Sequence, residues 1–153
     1  MSNPYALSPN DGFTLLFRLS IALLVGGIIG WERQQRHKPA GLRTHMMVSL
    51  GAAIFVIIPL LMVDPATHSS DAISRVIQGI AAGVGFLGAG EILRQSQQQL
   101  GEVEVHGLTS AAAIWVCAAL GIAAGCGFWQ IGLMGALLSF LVLRVLKAFE
   151  RRQ

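Results

Sequence analysis

The residues able to do chemistry are few in this sequence, and they are gathered in a handful of places. The stretch WERQQRHKPAGLRTH, Trp31 to His45, holds Glu32, Arg33, Arg36, Lys38 and Arg43 together with His37 and His45. Arg18, Arg75 and Glu91 stand inside otherwise apolar runs. A second acidic group, Asp64 and Asp71 with His68 between them, lies in VDPATHSSD, and GEVEVHG carries Glu102, Glu104 and His106. The two cysteines, Cys117 and Cys126, are nine positions apart. On one helix that separates their Cα atoms by roughly 13 Å, about twice what a disulfide spans. No CxxC, zinc-type spacing or phosphate-binding glycine loop before a lysine is present, so the usual redox, metal and nucleotide signatures are missing. Asp64, His68 and Asp71 supply too few oxygens for magnesium, which demands octahedral oxygen coordination, and they read as a solvated turn opened by Pro65. GEVEVHG reads equally as a short strand or a loop whose acids offset the basic segment. The expectation is a chain without catalytic residues, cofactor or metal site.

The elements that must position these side chains are set by composition. Of 153 residues, 54% are hydrophobic and only 12% charged, with a mean hydropathy of +0.62; soluble domains carry roughly 25% charged residues. Crossing about 30 Å of hydrocarbon takes roughly 20 helical residues. Five stretches suit that length: residues 13–31, 45–63, 72–93, 109–126 and 128–146. The last two form one apolar block, which the glycines and the polar residue of GCGFWQ, Gly125 to Gln130, divide into a helical hairpin. Strand alternation is absent, and an open sheet would leave edge amides unpaired in lipid. The fold class expected is therefore an all-α polytopic membrane bundle in one domain over residues 1–153, with the lipid bilayer as its first partner.

The start MSNPYALSPNDG has no Lys or Arg, and no small-x-small cleavage site follows the first apolar run, so a signal peptide is not expected. Asn10 or Asp11 suits the cap of the first helix. Lys and Arg in short loops stay in the cytoplasm. With five spans, Arg33, Arg36, Lys38, Arg43, Arg94, Arg144, Lys147, Arg151 and Arg152 all share one side, and only Arg18 and Arg75 fall toward the other. That places the N-terminus outside and the C-terminus inside; four or six spans would separate the basic tail from the basic loop. Within HKPAGLRTH, Pro39 fixes its own φ and Gly41 permits a positive one, so the loop should be shaped. Nucleic-acid binding is not expected, because the net charge of +3 comes from this membrane flank.

Three motifs in order, LLVGGIIGWERQQRHKPAGLRTHMMVSLGAA, GVGFLGAG at 83–90 and GLTSAAAIWVCAALGIAAG at 107–125, resemble the MgtC/SapB family of bacterial membrane proteins over roughly residues 17 to 126. The resemblance implies a multi-pass helical protein of the bacterial inner membrane, associated in several members with growth at low magnesium and with virulence and survival inside host cells. It also marks two departures. Many members continue into a soluble ACT-like domain, whereas this sequence ends at Gln153, so no role of that domain is carried over. The family's Asp-Pro-x-Arg before the third span is replaced here by Asp71, Ala72 and then Arg75.

Glycines then suggest how the helices meet. Gly26 with Gly30, Gly79 with Gly83, and Gly121 with Gly125 are small-xxx-small pairs, and Gly85, Gly88 and Gly90 add to the third span. In lipid such residues let backbones approach closely, so the third span is expected to pack centrally. Arg18 and Arg75 are expected as buried polar anchors, Arg18 either snorkelling or meeting an aspartate. Glu32 and Arg33 are expected to meet Arg43 or Glu91 in a polar lock. The interaction surface expected on the inner face comprises Glu32, Arg33, Gly41, Leu42, Arg43, Thr44 and His45, with Glu91 nearby. The function expected is that of a non-enzymatic accessory or regulatory protein with a membrane-protein partner and a possible homo-oligomer; a small ion or solute transporter is the alternative.

Overall fold

The computed structural model describes residues 11–62, 70–97 and 107–146. Asp64, His68, Glu102, Glu104 and His106 lie outside the described residues, as do Lys147, Arg151 and Arg152.

Five α-helices follow in order: α1 (Gly12–Gln35), α2 (Leu42–Met62), α3 (Ser70–Gln97), α4 (Leu108–Gly125) and α5 (Trp129–Leu141), the last running on into a π-helical turn, Val142–Leu146. Among the described residues there is no strand. The first four helices are long and apolar enough to cross a membrane, whereas the apolar stretch of the fifth is shorter. Much of the outside of the bundle is apolar: Phe13 and Phe86 are each about 80% exposed, and Trp31, Trp115 and Trp129 also face outward. A soluble monomer rarely shows apolar patches on that scale, but lipid accepts them.

Both ends of the α4 helix and the start of α1 follow from local residues. Asp11 caps α1, its carboxylate accepting from the Thr14 amide at 3.0 Å and from the Thr14 hydroxyl. α4 starts differently from a Ser or Thr cap: Gly107, with φ of 94°, holds the cap position, and Ser110 lies buried within the first turn. At the other end Gly127 takes φ of 88°. The Phe128 amide donates to Ala123 O and the Gly127 amide to Ala124 O, the paired bonds of a Schellman stop. GCGFWQ therefore turns the chain between α4 and α5.

The main core is built by α1, α2, α4 and α5, and a smaller cluster of Ala40, Ala52, Val84, Ile114 and Ala118 packs α3 against α2 and α4. Ile21, Ala22, Val25 and Ile29 meet Ala53, Ala113, Cys117, Leu120, Ala124 and Ala136 in one buried cluster. Glycine sets how closely these helices approach. A Cβ on Gly26 would lie 2.7 Å from the His45 carbonyl oxygen, one on Gly30 2.8 Å from Leu42 Cα, and one on Gly125 2.7 Å from the Ala53 carbonyl oxygen. At Gly121 it would overlap the Ser49 backbone. α2 thus lies pinched between α1 and α4.

The glycine-rich third helix is not central. Half of the apolar stretch of α4 is buried, against 11% of that of α3. α3 rests on α4, where a Cβ on Gly88 would lie 3.3 Å from Ala111 Cβ, and more loosely on α2. Gly79, Gly83, Gly85 and Gly90 have nothing within 4 Å of a would-be Cβ. Small residues permit close packing without compelling it, and here the bulk of neighbouring Phe86 and Leu87 points outward.

Candidate functional site

The ends of α1 and α3 and the starts of α2 and α4 meet at one end of the bundle, the loop end, which carries most of the residues singled out above. α1 stops there through His37, which adopts φ of 53° where glycine is usual. The His37 amide donates to Gln34 O and the Lys38 amide to Arg33 O, again a Schellman pair. Pro39 follows immediately. The positive φ falls on His37 and not on Gly41; Gly41 instead lies where a Cβ would come 3.4 Å from Gln34 Oε1. That Gln34 oxygen accepts from the Leu42 amide at 3.3 Å, which supplies one of the acceptors that the first turn of α2 lacks. The loop is thus fixed at both ends.

Beneath it lies a buried ion cluster. Glu32 is 1% and Arg33 2% exposed. Arg33 Nη2 and Nε both reach Glu32 Oε2 at 2.7 Å, and Arg36 Nε reaches Oε1 at 3.2 Å. Neighbours i and i+1 on a helix normally diverge, so Glu32 and Arg33 turn toward each other only because the fold encloses both. The partners of Glu32 are therefore Arg33 and Arg36, neither Arg43 nor Glu91. Arg36 comes from the next turn of the same helix, while Arg43 is exposed at the start of α2.

His45 is fully buried on the first turns of α2, its Nδ1 2.9 Å from the Gly41 carbonyl oxygen. One turn on, Ser49 is also fully buried. Neither His45 Nε2 nor Ser49 Oγ has a hydrogen-bond partner among the described residues. The Cys117 thiol of α4 donates to the His45 carbonyl oxygen at 3.1 Å, tying the second pinch point to this end. Ser49 and Cys117 were not expected here; their signal was a polar side chain four residues after His45 and a small thiol amid alanines. Thr44 and Glu91 share a cleft of about 180 Å³ with Pro39, Ala40, Arg94 and Ile114. Leu42 backs onto Gly30.

The remaining two candidates sit elsewhere. Arg18, 4% exposed, lies at the opposite end of the bundle, where its Nη1 donates to the Gly125 carbonyl oxygen at 2.9 Å and its guanidinium lies against Gly127. A cation there complements the negative end of α4. Arg75 is exposed on α3 and is not a buried anchor, because the helix carrying it stands at the edge of the bundle.

The loop end thus combines a buried carboxylate held by two guanidinium groups, a shaped loop and the exposed side chains of Arg43 and Thr44. Among the described residues, no three His, Cys, Asp or Glu side chains gather as they would to hold a metal ion.

The sequence is similar over nearly its whole length to known proteins. Protein SrpB of Synechococcus elongatus is 46% identical across 99% of this chain and 83% of its own. YhiD of Escherichia coli K12, named a putative magnesium transporter, is 40% identical across 85% of this chain, and protein MgtC of Salmonella typhimurium is 36% identical across 82%. The chain spans 59% of the former and 49% of the latter. No solved structure matches. The model of the MgtC family matches residues 19–152, a stretch that takes in most of α1, the other helices and the basic loop, and the chain belongs to that family.

Proposed function

We propose that this protein is a non-enzymatic accessory or regulatory protein of the bacterial inner membrane, acting in adaptation to low magnesium, and that it engages a membrane-protein partner through the loop end. The observation that carries this reading is the Glu32–Arg33 pair. Burying two charges is costly unless each is well paired, and here the pair underpins a loop that presents His37, Pro39, Arg43 and Thr44 outward. A loop built only to touch lipid head groups needs no fixed shape, since each Lys or Arg contributes about 1 kcal/mol there whatever its precise position. A recognition surface does need one. In this reading the loop end faces the cytoplasm, following the bias of Lys and Arg.

The name of the Escherichia coli relative points to the alternative, a magnesium transporter. The chemistry of the described residues fits magnesium poorly. The most buried carboxylate, Glu32, is already taken by Arg33 and Arg36, and no set of oxygen ligands gathers at membrane depth among the described residues. Two measurements separate the readings. Crosslinking from position 43 or 44 in native membranes should recover a membrane-protein partner, and recovery should fall when Glu32→Gln loosens the loop. Magnesium or proton flux into proteoliposomes that Glu91→Ala abolishes would overturn the regulatory reading.

A further inference from the structure

The two walls between α2 and α3 enclose an open apolar groove of about 640 Å³. Met47, Gly51 and Phe55 line it from α2, spaced at i, i+4 and i+8, and Gly79, Gly83 and Leu87 line it from α3. Val48 and Leu87 also line the small polar cleft at the loop end, so groove and cleft are continuous. The groove runs from Val76 to Leu87 along α3, roughly 16 Å at 1.5 Å per residue, which is half of the ~30 Å hydrocarbon core.

Its two walls both end in a cation at the loop end. Arg43 stands one turn before Met47 on the same face of α2, and Arg94 follows Leu87 by two turns and lines the cleft with Thr44. Both arginines are exposed, and neither takes part in an ion pair among the described residues. Among the described residues, and with Glu91 counted, the loop end of the groove has a net charge of +1 and a hydroxyl. At the other end Arg75 is offset by Asp71 one turn before it. Among the described residues the groove is therefore apolar along one leaflet's depth and cationic at its loop end.

We infer that this groove binds one glycerophospholipid, an acyl chain lying along Gly79 and Gly83 and the phosphate held between Arg43 and Arg94. The charge favours a lipid over a second apolar helix: the cationic loop end suits a phosphate, and the apolar length beyond it suits a chain. The bare Gly79 and Gly83 of α3 acquire a use in this way, because each missing side chain widens the trough.

The test uses the full chain purified in mild detergent and observed by native mass spectrometry, with phosphatidylglycerol as probe and diacylglycerol of the same chains as the phosphate-free control. Phosphatidylglycerol should bind one to one and diacylglycerol much more weakly. Arg43→Gln with Arg94→Gln should weaken phosphatidylglycerol binding roughly 25-fold, about fivefold for each arginine. Gly83→Leu should abolish it by filling the trough; a Cβ there meets nothing within 4 Å, and helical circular dichroism with a monodisperse profile confirms that the variant folds. Equal binding by all variants would overturn the inference. So would a dimer that Gly83→Leu dissociates, since a second copy would then cover the groove. Partner crosslinking at the loop is read separately, so either proposal can fail alone.

Discussion

Replacing Gly121 with alanine adds a single methyl group at the tightest helix crossing, and its cost can be worked out from two opposed effects. The new Cβ would overlap the Ser49 carbonyl oxygen and lie 2.8 Å from both Ser49 C and Cα. These are backbone atoms of a helix held on its other side by Gly26 and Gly30, so α2 has no free direction in which to retreat. Restoring an ordinary contact of 3.4 Å to the overlapping Ser49 oxygen moves α2 and α4 apart by ~1 Å or more over the crossing, and the Cys117–His45 and Gly125–Ala53 contacts lengthen with it. Overpacking of this kind costs about 1–3 kcal/mol, and an unyielding backbone places it at the upper end. Against this, alanine is favoured over glycine within a helix by about 1 kcal/mol. The net expectation for Gly121→Ala is a loss of about 1–2 kcal/mol.

Gly90→Ala provides the control, because it changes the same atoms where a Cβ meets nothing. It should stabilise by up to about 1 kcal/mol, leaving the two variants about 2–3 kcal/mol apart, or roughly 30- to 150-fold in the unfolding equilibrium. Reversible unfolding of the purified protein in mixed micelles, followed by circular dichroism, measures the difference directly. Equal stability of the two variants would refute the packing described here, since it would mean that α2 and α4 are not in backbone contact at this position.

Glu32→Gln leaves the Arg33 charge buried without its counter-ion and should cost about 3–5 kcal/mol, whereas Arg36→Ala, at the exposed rim of the same cluster, should cost under about 1 kcal/mol; denaturant titration in micelles distinguishes them. Arg18→Met removes the donor to the Gly125 carbonyl and should destabilise by about 1–3 kcal/mol, with faster hydrogen exchange confined to the α4–α5 turn. The Asp11 carboxyl is held below the ordinary carboxylate range by its hydrogen bonds from the Thr14 hydroxyl and amide. Its capping contribution is therefore complete above the unfolded carboxylate value of about 3.9 and is lost as the pH falls through the lower folded value. Amide exchange at Thr14 should accelerate only in that acid range, and Asp11→Ala should remove the step.

The fold was legible because each helix announces itself by length and apolarity, and because the chain breaks at glycine and proline. GCGFWQ marked the α4–α5 turn correctly. The sequence could not say which glycines would be in contact: Gly79 and Gly83 repeat the spacing of Gly26 and Gly30, yet one pair is bare and the other pressed against α2. Spacing shows only that close approach is possible. Which helix comes close depends on what else its face carries, and the face of α2 toward α1 and α4 holds Ser49, Ala53 and Val56, all small or slender and fully buried. The charged residues divide similarly. That Glu32 would be paired with a cation was legible from its place among Arg33, Arg36, Lys38 and Arg43. That its partner would be the very next residue was not, since helix geometry alone argues against it. His37 hid for a related reason: an αL stop without glycine leaves no local signal, although asparagine, aspartate and histidine are enriched among such residues.

These differences divide the bundle into a backbone-locked part and a side-chain-packed one. α1, α2 and α4 are locked by backbone contacts at Gly26, Gly30, Gly121 and Gly125, by the Cys117–His45 hydrogen bond, and by the Glu32 cluster. Any change at the loop therefore propagates into α2, because His45 carries the loop's Gly41 contact on one side and the Cys117 contact on the other. α3 is held differently, by side chains: Val84 and Ile80 pack with Ala52, Ile114 and Ala118, while its exposed glycines add no backbone contact. Tilting α3 therefore disturbs side-chain packing, whereas tilting α2 breaks the tightest backbone contacts among the described residues. The loop rests on the backbone-locked part, and the groove between α2 and α3 borders the side-chain-packed one.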